Sequence, residues 1–355
     1  MRDHTLDRNG RLRRVKRKIR ASGLDAYLVT GEKDIIYLAG YYTEGARLLV
    51  PAKTGPVYFI DSMNETLGRE KLEKLGLEKI IAGPAAGNFK RFVKTRKLRR
   101  IGIDENKLSA FEYGALKRGG SSAFRHIPSV IGDMRVIKQE YELNKIRKAA
   151  RETVRIWSEV NRRVRTGMAE KDIGVMVDVL IRSRGYDNAF YPVVAVAENT
   201  AYPHAVAGSR RMERNEHLLV DFGLRVEGYC SDLTRVYSNG RINRKIAYFR
   251  KHVREAHDRA IKMVKPGMTT GRLDEAVRKY FHHNNIEGKH VLHSLGHGIG
   301  LDVHERPFFR KGSSERLRKG MVITIEPGLY EPGLGGIREE DMVLVTEKGC
   351  EVLTR

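Results

Sequence analysis

The chain has two cysteines, Cys230 and Cys350, in 355 residues. A pair so placed builds no disulfide framework and points to a reducing, cytoplasmic setting. Long hydrophobic runs are missing as well. Near-continuous apolar stretches such as Tyr191–Ala197 fall far short of the roughly 20 residues that cross a bilayer. Residues 1–25 are charged and hold no apolar segment of the secretory kind, so neither a leader nor a membrane span is expected. No Pro-, Gly- or Ser-rich tract suggests disorder. Acids are in short supply: 44 Asp and Glu face 67 Lys and Arg, a formal net charge of +23. What remains is globular material, 41% hydrophobic and 31% charged, long enough for about two domains with ample cores.

The excess of bases is concentrated. Arg8, Arg11, Arg13, Arg14, Lys16, Arg17, Lys18 and Arg20 crowd the N-terminus, and residues 90–100 hold seven bases without an acid. Such clusters serve either as footprints for nucleic acid and other polyanions or as solvated faces. Leu12, Val15 and Ile19 recur at helical spacing among the first set, as in an amphipathic helix with a wet side. No zinc-finger spacing or RNA-binding aromatic signature accompanies them. A nucleic-acid partner is therefore the disfavoured reading.

The pattern predicts an α+β protein of two domains, 1–132 and 133–355. In the first, a basic helix precedes strand-like segments at 25–30, 34–40, 47–50 and 57–60, a helix at 66–75, and short strands at 79–81 and 101–103. The turn residues Gly132-Asp133 lead into a long helix reaching about Arg165. The second domain carries an internal repeat of about 100 residues. Val164-Arg-Thr-Gly167-Met168 returns as Val264-Lys-Pro-Gly267-Met268, and Arg151-Glu152 returns as Arg254-Glu255. Each Gly-Met precedes an amphipathic helix, 172–183 and 273–284. Each copy then shows a strand ending on an acid, an X-Gly-Leu turn and a second acid leading into another strand. Copy one reads Leu219-Val-Asp221-Phe-Gly-Leu and Ser231-Asp232-Leu-Thr-Arg-Val236; copy two reads Thr324-Ile-Glu326-Pro-Gly-Leu and Glu339-Glu340-Asp341-Met-Val-Leu-Val345. Two helix-plus-hairpin halves packed about a pseudo-twofold axis are expected.

Pairing the halves brings four carboxylates into one cleft. They repel one another, and buried charge is tolerated only when paired or bound to metal. Oxygen-rich clusters with one imidazole suit Mn, Co, Fe or Zn, and four carboxylates can hold two ions. An imidazole is offered by His293-Ser-Leu-Gly296-His297-Gly298-Ile-Gly300-Leu-Asp-Val-His304-Glu305. His293 and His297 have the i, i+4 spacing of a helical zinc pair, but the glycines argue for a strand or loop that exposes single histidines. The glycines also lack the spacing of a dinucleotide fingerprint.

With these segments in order, the chain resembles the pita-bread-fold metallopeptidases, and within them the Xaa-Pro dipeptidase (prolidase) and aminopeptidase P group. The segments that carry the likeness are 293–307, Val220-Asp221-Phe-Gly with Ser231-Asp232-Leu-Thr-Arg235, Glu326-Pro-Gly-Leu-Tyr330 and Gly336-Ile-Arg338-Glu-Glu340-Asp341. Residues 8–130 resemble that family's creatinase-type N-terminal domain. The resemblance implies a hydrolase with two divalent ions, Mn or Co first and Fe or Zn as further candidates. It implies Asp221, Asp232, His297, Glu326 and Glu340 as ligands, with Asp232 and Glu340 bridging, Asp221 serving one ion, and His297 with Glu326 the other. It also implies His204 and His304 as substrate-facing catalytic histidines, Glu326 as proton carrier, and Arg338, Tyr330 and His293 as substrate-side residues.

The implied reaction is attack of an activated water on the carbonyl before proline, next to a free N-terminus, in a cytoplasmic homodimer acting on proline-containing dipeptides or peptides. An Xaa-Pro dipeptidase is the favoured reading and an aminopeptidase P acting on longer peptides the alternative. A basic binding protein on the same fold is a third reading, and a metal-free creatinase-like hydrolase is disfavoured by the complete ligand set. If strand 230–232 is regular, Cys230 shares a face with Asp232. Two segments depart from the family pattern. Val196-Ala197-Glu198-Asn199 stands where Ser-Gly-x-Asn is usual, and Asp61-Ser-Met-Asn64 lacks the usual Arg-Tyr, which leaves substrate length open.

Overall fold

The computed structural model describes residues 7–77, 79–118, 122–127 and 130–355, and the chain divides into two compact units between Arg135 and Val136. In the first unit, helix α1 (Arg8–Ala21) is started by Asp7, whose carboxylate accepts from the Gly10 amide, and it buries Leu12, Val15 and Ile19 while Arg13, Arg14, Arg17 and Lys18 stay exposed. Arg11 is buried with them. Its guanidinium sits 3.4 Å from the Tyr37 ring centroid and donates to the Tyr37 carbonyl. There follow β1 (Ala26–Val29), α2 (Glu32–Ala39), β2 (Arg47–Pro51), β3 (Val57–Ile60), α3 (Glu65–Lys74), β4 (Ile80–Ala82), α4 (Ala85–Thr95), β5 (Arg100–Ile103), α5 (Ala110–Lys117), β6 (Ala123–His126) and α6 (Val130–Arg135). The strands form one mixed sheet in the order β4-β3-β2-β1-β5-β6.

Two local expectations fail here. Residues 34–40, expected as a strand, lie in α2 and its cap. Glu32 and Asp34 favour the first helical turn, and Gly40, at φ +83°, ends the helix in the left-handed conformation. Gly132-Asp133, expected as a turn, lies inside α6, whose Val130, Ile131 and Met134 are buried.

The second unit opens with α7 (Glu140–Arg163), α8 (Glu170–Ser183), β7 (Asp187–Asn188), β8 (Val193–Val196), β9 (Glu216–Phe222), β10 (Leu224–Val226), β11 (Tyr229–Cys230) and β12 (Leu233–Asn239). It continues with α9 (Arg244–Met263), α10 (Thr270–His283), β13 (His297–Gly298), β14 (Glu305–Phe308), β15 (Val322–Ile325), β16 (Gly328–Glu331), β17 (Gly335–Arg338), β18 (Asp341–Val345) and β19 (Cys350–Val352). The repeat extends to individual hydrogen bonds. The Gly167 amide donates to Met212 O at 2.7 Å, and the Gly267 amide donates to Leu317 O at 2.8 Å. In each copy the following methionine receives the return bond, Met212 N to Met168 O at 3.0 Å and Leu317 N to Met268 O at 2.8 Å. Arg211 and Arg316 then cap the carbonyls of Gly167 and Gly267.

Copy one has its own core of Ile156, Val160, Ile173, Val177, Val220, Phe222 and their neighbours. Copy two packs Phe249, Val253, Leu273, Phe281, Ile323 and Val343 into another, which also takes Leu219 and Val236 from copy one. The hairpins carrying the acids are antiparallel in both copies, β9 with β12 and β15 with β18. No helix among the described residues is long and apolar enough to cross a membrane.

Candidate metal centre

Strand ends and breaks place the acids. Asp221 lies near the end of β9, opposite Thr234 of β12. Asp232 sits in the break between β11 and β12, Glu326 follows β15, and Glu340 joins β17 to β18. His297 opens β13, whose Gly298 pairs with Ile323 of β15. Close backbone approach makes this possible. A Cβ on Gly223 would come within 1.9 Å of Ser231 O, and one on Gly296 within 2.1 Å of Thr324 O. Only glycine lets the two hairpins and the histidine loop pack at these distances.

The acids and histidines named from the sequence converge on one cavity of about 920 Å³, lined by Asp221, Asp232, Glu326, Glu340, His204, His293, His297, His304 and Arg338. Tyr330 stands behind the wall, its hydroxyl 2.7 Å from His293 Nε2 and accepting from Arg338 at 2.9 Å. One ligand atom each from Asp232, His297 and Glu340 fall within 4.8 Å of one another. His297 Nε2 lies 3.2 Å from Glu326 Oε1 and 3.7 Å from Asp232 Oδ2. Asp221 Oδ2 is drawn to Arg338 at 2.6 Å. His204 and His304 are exposed on the cavity wall, the His304 ring 4.3 Å from that of His297.

Two oxygens test whether cations fit. Among the described residues, the buried carboxylate oxygens without a hydrogen-bond partner are Asp221 Oδ1 and Glu340 Oε1, both in this cavity. Unpaired buried carboxylate oxygens are costly unless a cation meets them. The acids themselves report the same stress. Burial, then Glu340, Asp221 and Glu326, push Asp232 well above the usual carboxylate range. Burial, then Glu326 and Asp221, do the same to Glu340, and burial raises Asp221 against the pull of Arg338. For Glu326, burial is overcome by the His297 hydrogen bond and charge, which bring it down to about 2. Hard oxygen donors with one imidazole nitrogen suit divalent transition ions, so the donor set fits the implied metal.

Sequence reasoning overlooked Thr234. Its hydroxyl donates to Glu340 Oε2 at 2.7 Å and accepts from Arg338 Nε at 3.0 Å, fixing both groups. Its place two residues after Asp232 was the available signal, because alternate residues share a face. Thr324 plays a similar part, accepting from the His297 amide at 3.1 Å and donating to Glu326 at 3.3 Å. Cys230 does not share a regular strand with Asp232: the strand breaks at Ser231-Asp232, and the buried thiol faces Leu301 O at 3.6 Å.

Residues 144–347 match metallopeptidase family M24, and residues 11–137 match the creatinase/prolidase N-terminal domain. The Xaa-Pro dipeptidase of Pyrococcus horikoshii is 30% identical over 350 residues, 98% of this chain and 97% of its own. The solved structure of an Xaa-Pro dipeptidase from Bacillus anthracis superposes with a TM-score of 0.93 at 28% identity, covering 98% of each chain. That of the X-Pro aminopeptidase from Thermotoga maritima gives 0.85 at 31% identity, over 96% of this chain and 97% of that one.

Proposed function

The chain belongs to metallopeptidase family M24, and from that membership we propose that it hydrolyses the Xaa-Pro bond next to a free N-terminus, as an Xaa-Pro dipeptidase. The observation that carries this reading is the convergence of acids from both repeats on His297, with two buried carboxylate oxygens left for cations. The enzyme is metal-dependent; two ions, Mn or Co, held by Asp221, Asp232, His297, Glu326 and Glu340, are the finer part of the proposal. Divalent cations bound there would polarise the scissile carbonyl and acidify a water near neutral pH.

The protein's own groups do the rest. Glu326 is kept in its proton-accepting form by His297, takes the proton of the attacking water and passes it to the leaving imino nitrogen. Burial, and then the charge of His297, hold His304 below the usual imidazole range. It is therefore neutral near pH 7 and donates one hydrogen bond to the developing tetrahedral oxygen. His204, which lines the same cavity, steadies the substrate backbone. Arg338, tied to Asp221, Thr234 and Tyr330, fixes the carboxylate that would serve one ion. Proline has no N–H and a fixed φ, so recognition here relies on these groups and on shape. Two free thiols, Cys230 and Cys350, accord with a cytoplasmic location, and a homodimer completes the proposal. The test is hydrolysis of Ala-Pro and Ala-Pro-Ala by purified protein loaded with Mn²⁺ or Co²⁺. Cleavage of the dipeptide that chelation abolishes is expected; metal-loaded protein inert toward both peptides would refute the reading.

A further inference from the structure

The charge excess takes no part in the chemistry above, and most of it is ordinary. Exposed bases on several helices meet acids one turn away, as in Arg69–Glu65, Lys74–Glu70 and Lys279–Glu275. The first half of α9 departs from this. Exposed Ala247 has Arg244 three residues before it, Arg250 three after and Lys251 four after, which makes all three its neighbours on the helix surface. Arg254 follows one turn beyond Arg250, the end of β12 adds Ser238, and the turn ahead of the helix adds Arg241. Together these residues line an open cavity of about 880 Å³ that shares no lining residue with the catalytic one. The small side chain of Ala247 leaves room where four arginines and a lysine gather.

Acids do not balance them. Glu255 is the acid on the wall, and it is engaged by the Tyr280 hydroxyl at 2.6 Å. Arg254 has Glu339 only at 3.7 Å. Arg250 is half-buried and held in place, donating to Ser238 Oγ at 2.9 Å and Val236 O at 3.3 Å, while its Nε is buried without a partner. Burial, then the Arg254 charge, hold Arg250 below the usual guanidinium range. Like charges one turn apart repel, and a bound anion relieves that repulsion. Arginine forks match phosphate oxygens in pairs, which sets the chemistry of the anion.

We propose that this cavity binds ligands carrying two or more phosphates, at a site distinct from the peptidase centre. The phosphates belong either to a free oligophosphate compound or to a nucleic-acid backbone. The experiment uses the full-length, metal-loaded protein and two probes, tripolyphosphate in excess magnesium and a labelled single-stranded dT12, each at low and moderate salt. Saturable binding of at least one probe is expected, falling about tenfold or more in Ala247→Glu, which puts a carboxylate among the arginines, and weakening as salt rises. Lys251→Glu repeats the test independently, and unchanged Xaa-Pro hydrolysis certifies that each variant is folded. Tripolyphosphate binding alone identifies a free oligophosphate, and dT12 binding alone the nucleic-acid backbone. The proposal is overturned if neither probe binds at low salt, or if binding survives both variants and is lost instead on reversing Arg13 and Arg17 of α1.

Discussion

Replacing Glu340 by glutamine separates what the carboxylate cluster costs from what cations return. In the cation-free protein Glu340 is pushed well above its ordinary value of 4.5, first by burial and then by Glu326 and Asp221. A carboxyl with a raised folded pKa holds its proton where the unfolded chain has released it. It therefore favours the fold at low pH, and that contribution is lost as pH rises through the folded value. Cation-free wild-type protein should thus lose stability from about pH 5 upward, and Glu340→Gln should flatten the decline, its amide oxygen still able to accept from Thr234. At pH 8 without cations the variant should be at least as stable as wild type. With Mn²⁺ at a hundredfold excess over Kd, wild type gains about 2.7 kcal/mol. At about 2–4 °C per kcal/mol for a unit of this size, that is a Tm rise of roughly 5–11 °C. Glu340→Gln should forfeit most of it. Thermal unfolding with EDTA and with Mn²⁺, across pH 5–9, reads both effects. A variant that is less stable without cations yet gains the full rise with them would refute the reasoning.

Two further predictions use the surrounding scaffold. His217, buried on β9 with Nε2 2.8 Å from the Thr200 hydroxyl, is brought down to about 4, chiefly by burial. The unfolded chain takes up that proton near pH 6.5 and the fold only near 4, so about 3 kcal/mol should be lost as pH falls across that window. Urea titrations at stepped pH should show the loss in wild type and its reduction in His217→Gln. Gly296→Ala sets a methyl group against the Thr324 carbonyl at 2.1 Å. It should cost about 2–3 kcal/mol and depress Mn²⁺-dependent hydrolysis by displacing His297, whereas Gly349→Ala, in open space, should change neither.

Much of this arrangement was legible because the chemistry is written twice. Hairpin acids recurring after about a hundred residues could be recognised without knowing how the strands paired, and the glycines around His297 excluded a helix there. Other features were hidden by effects that sequence pattern does not report. Residues 34–40 hold a short apolar run of the kind a buried strand shows, yet Glu32 and Asp34 at its start and Gly40 at its end close a helix, and burial on more than one side obscures the amphipathic period. Gly132 reads as a turn until neighbouring side chains bury the helix that holds it. Thr234 carries no charge, and its value lies entirely in being opposite Asp221 while reaching Glu340 and Arg338. Ala197 is a different case. It stands where the resemblance leads to an expectation of glycine and adopts φ +47°, a left-handed conformation that costs a residue with a Cβ about 1–2 kcal/mol. The substitution was visible in the sequence, but only the backbone reveals that the strain is carried in place.

The paired Gly-Met seams, at 167–168 and 267–268, let each repeat fasten its own helices to its own strands. The cleft is therefore a seam between two repeats that also share Leu219 and Val236 in one core, with Asp221 and Asp232 hanging from one and His297, Glu326 and Glu340 from the other. Any ion gripped by both sets is a rivet as well as a reagent. The step that readies the enzyme for chemistry would also lock its two halves against sliding.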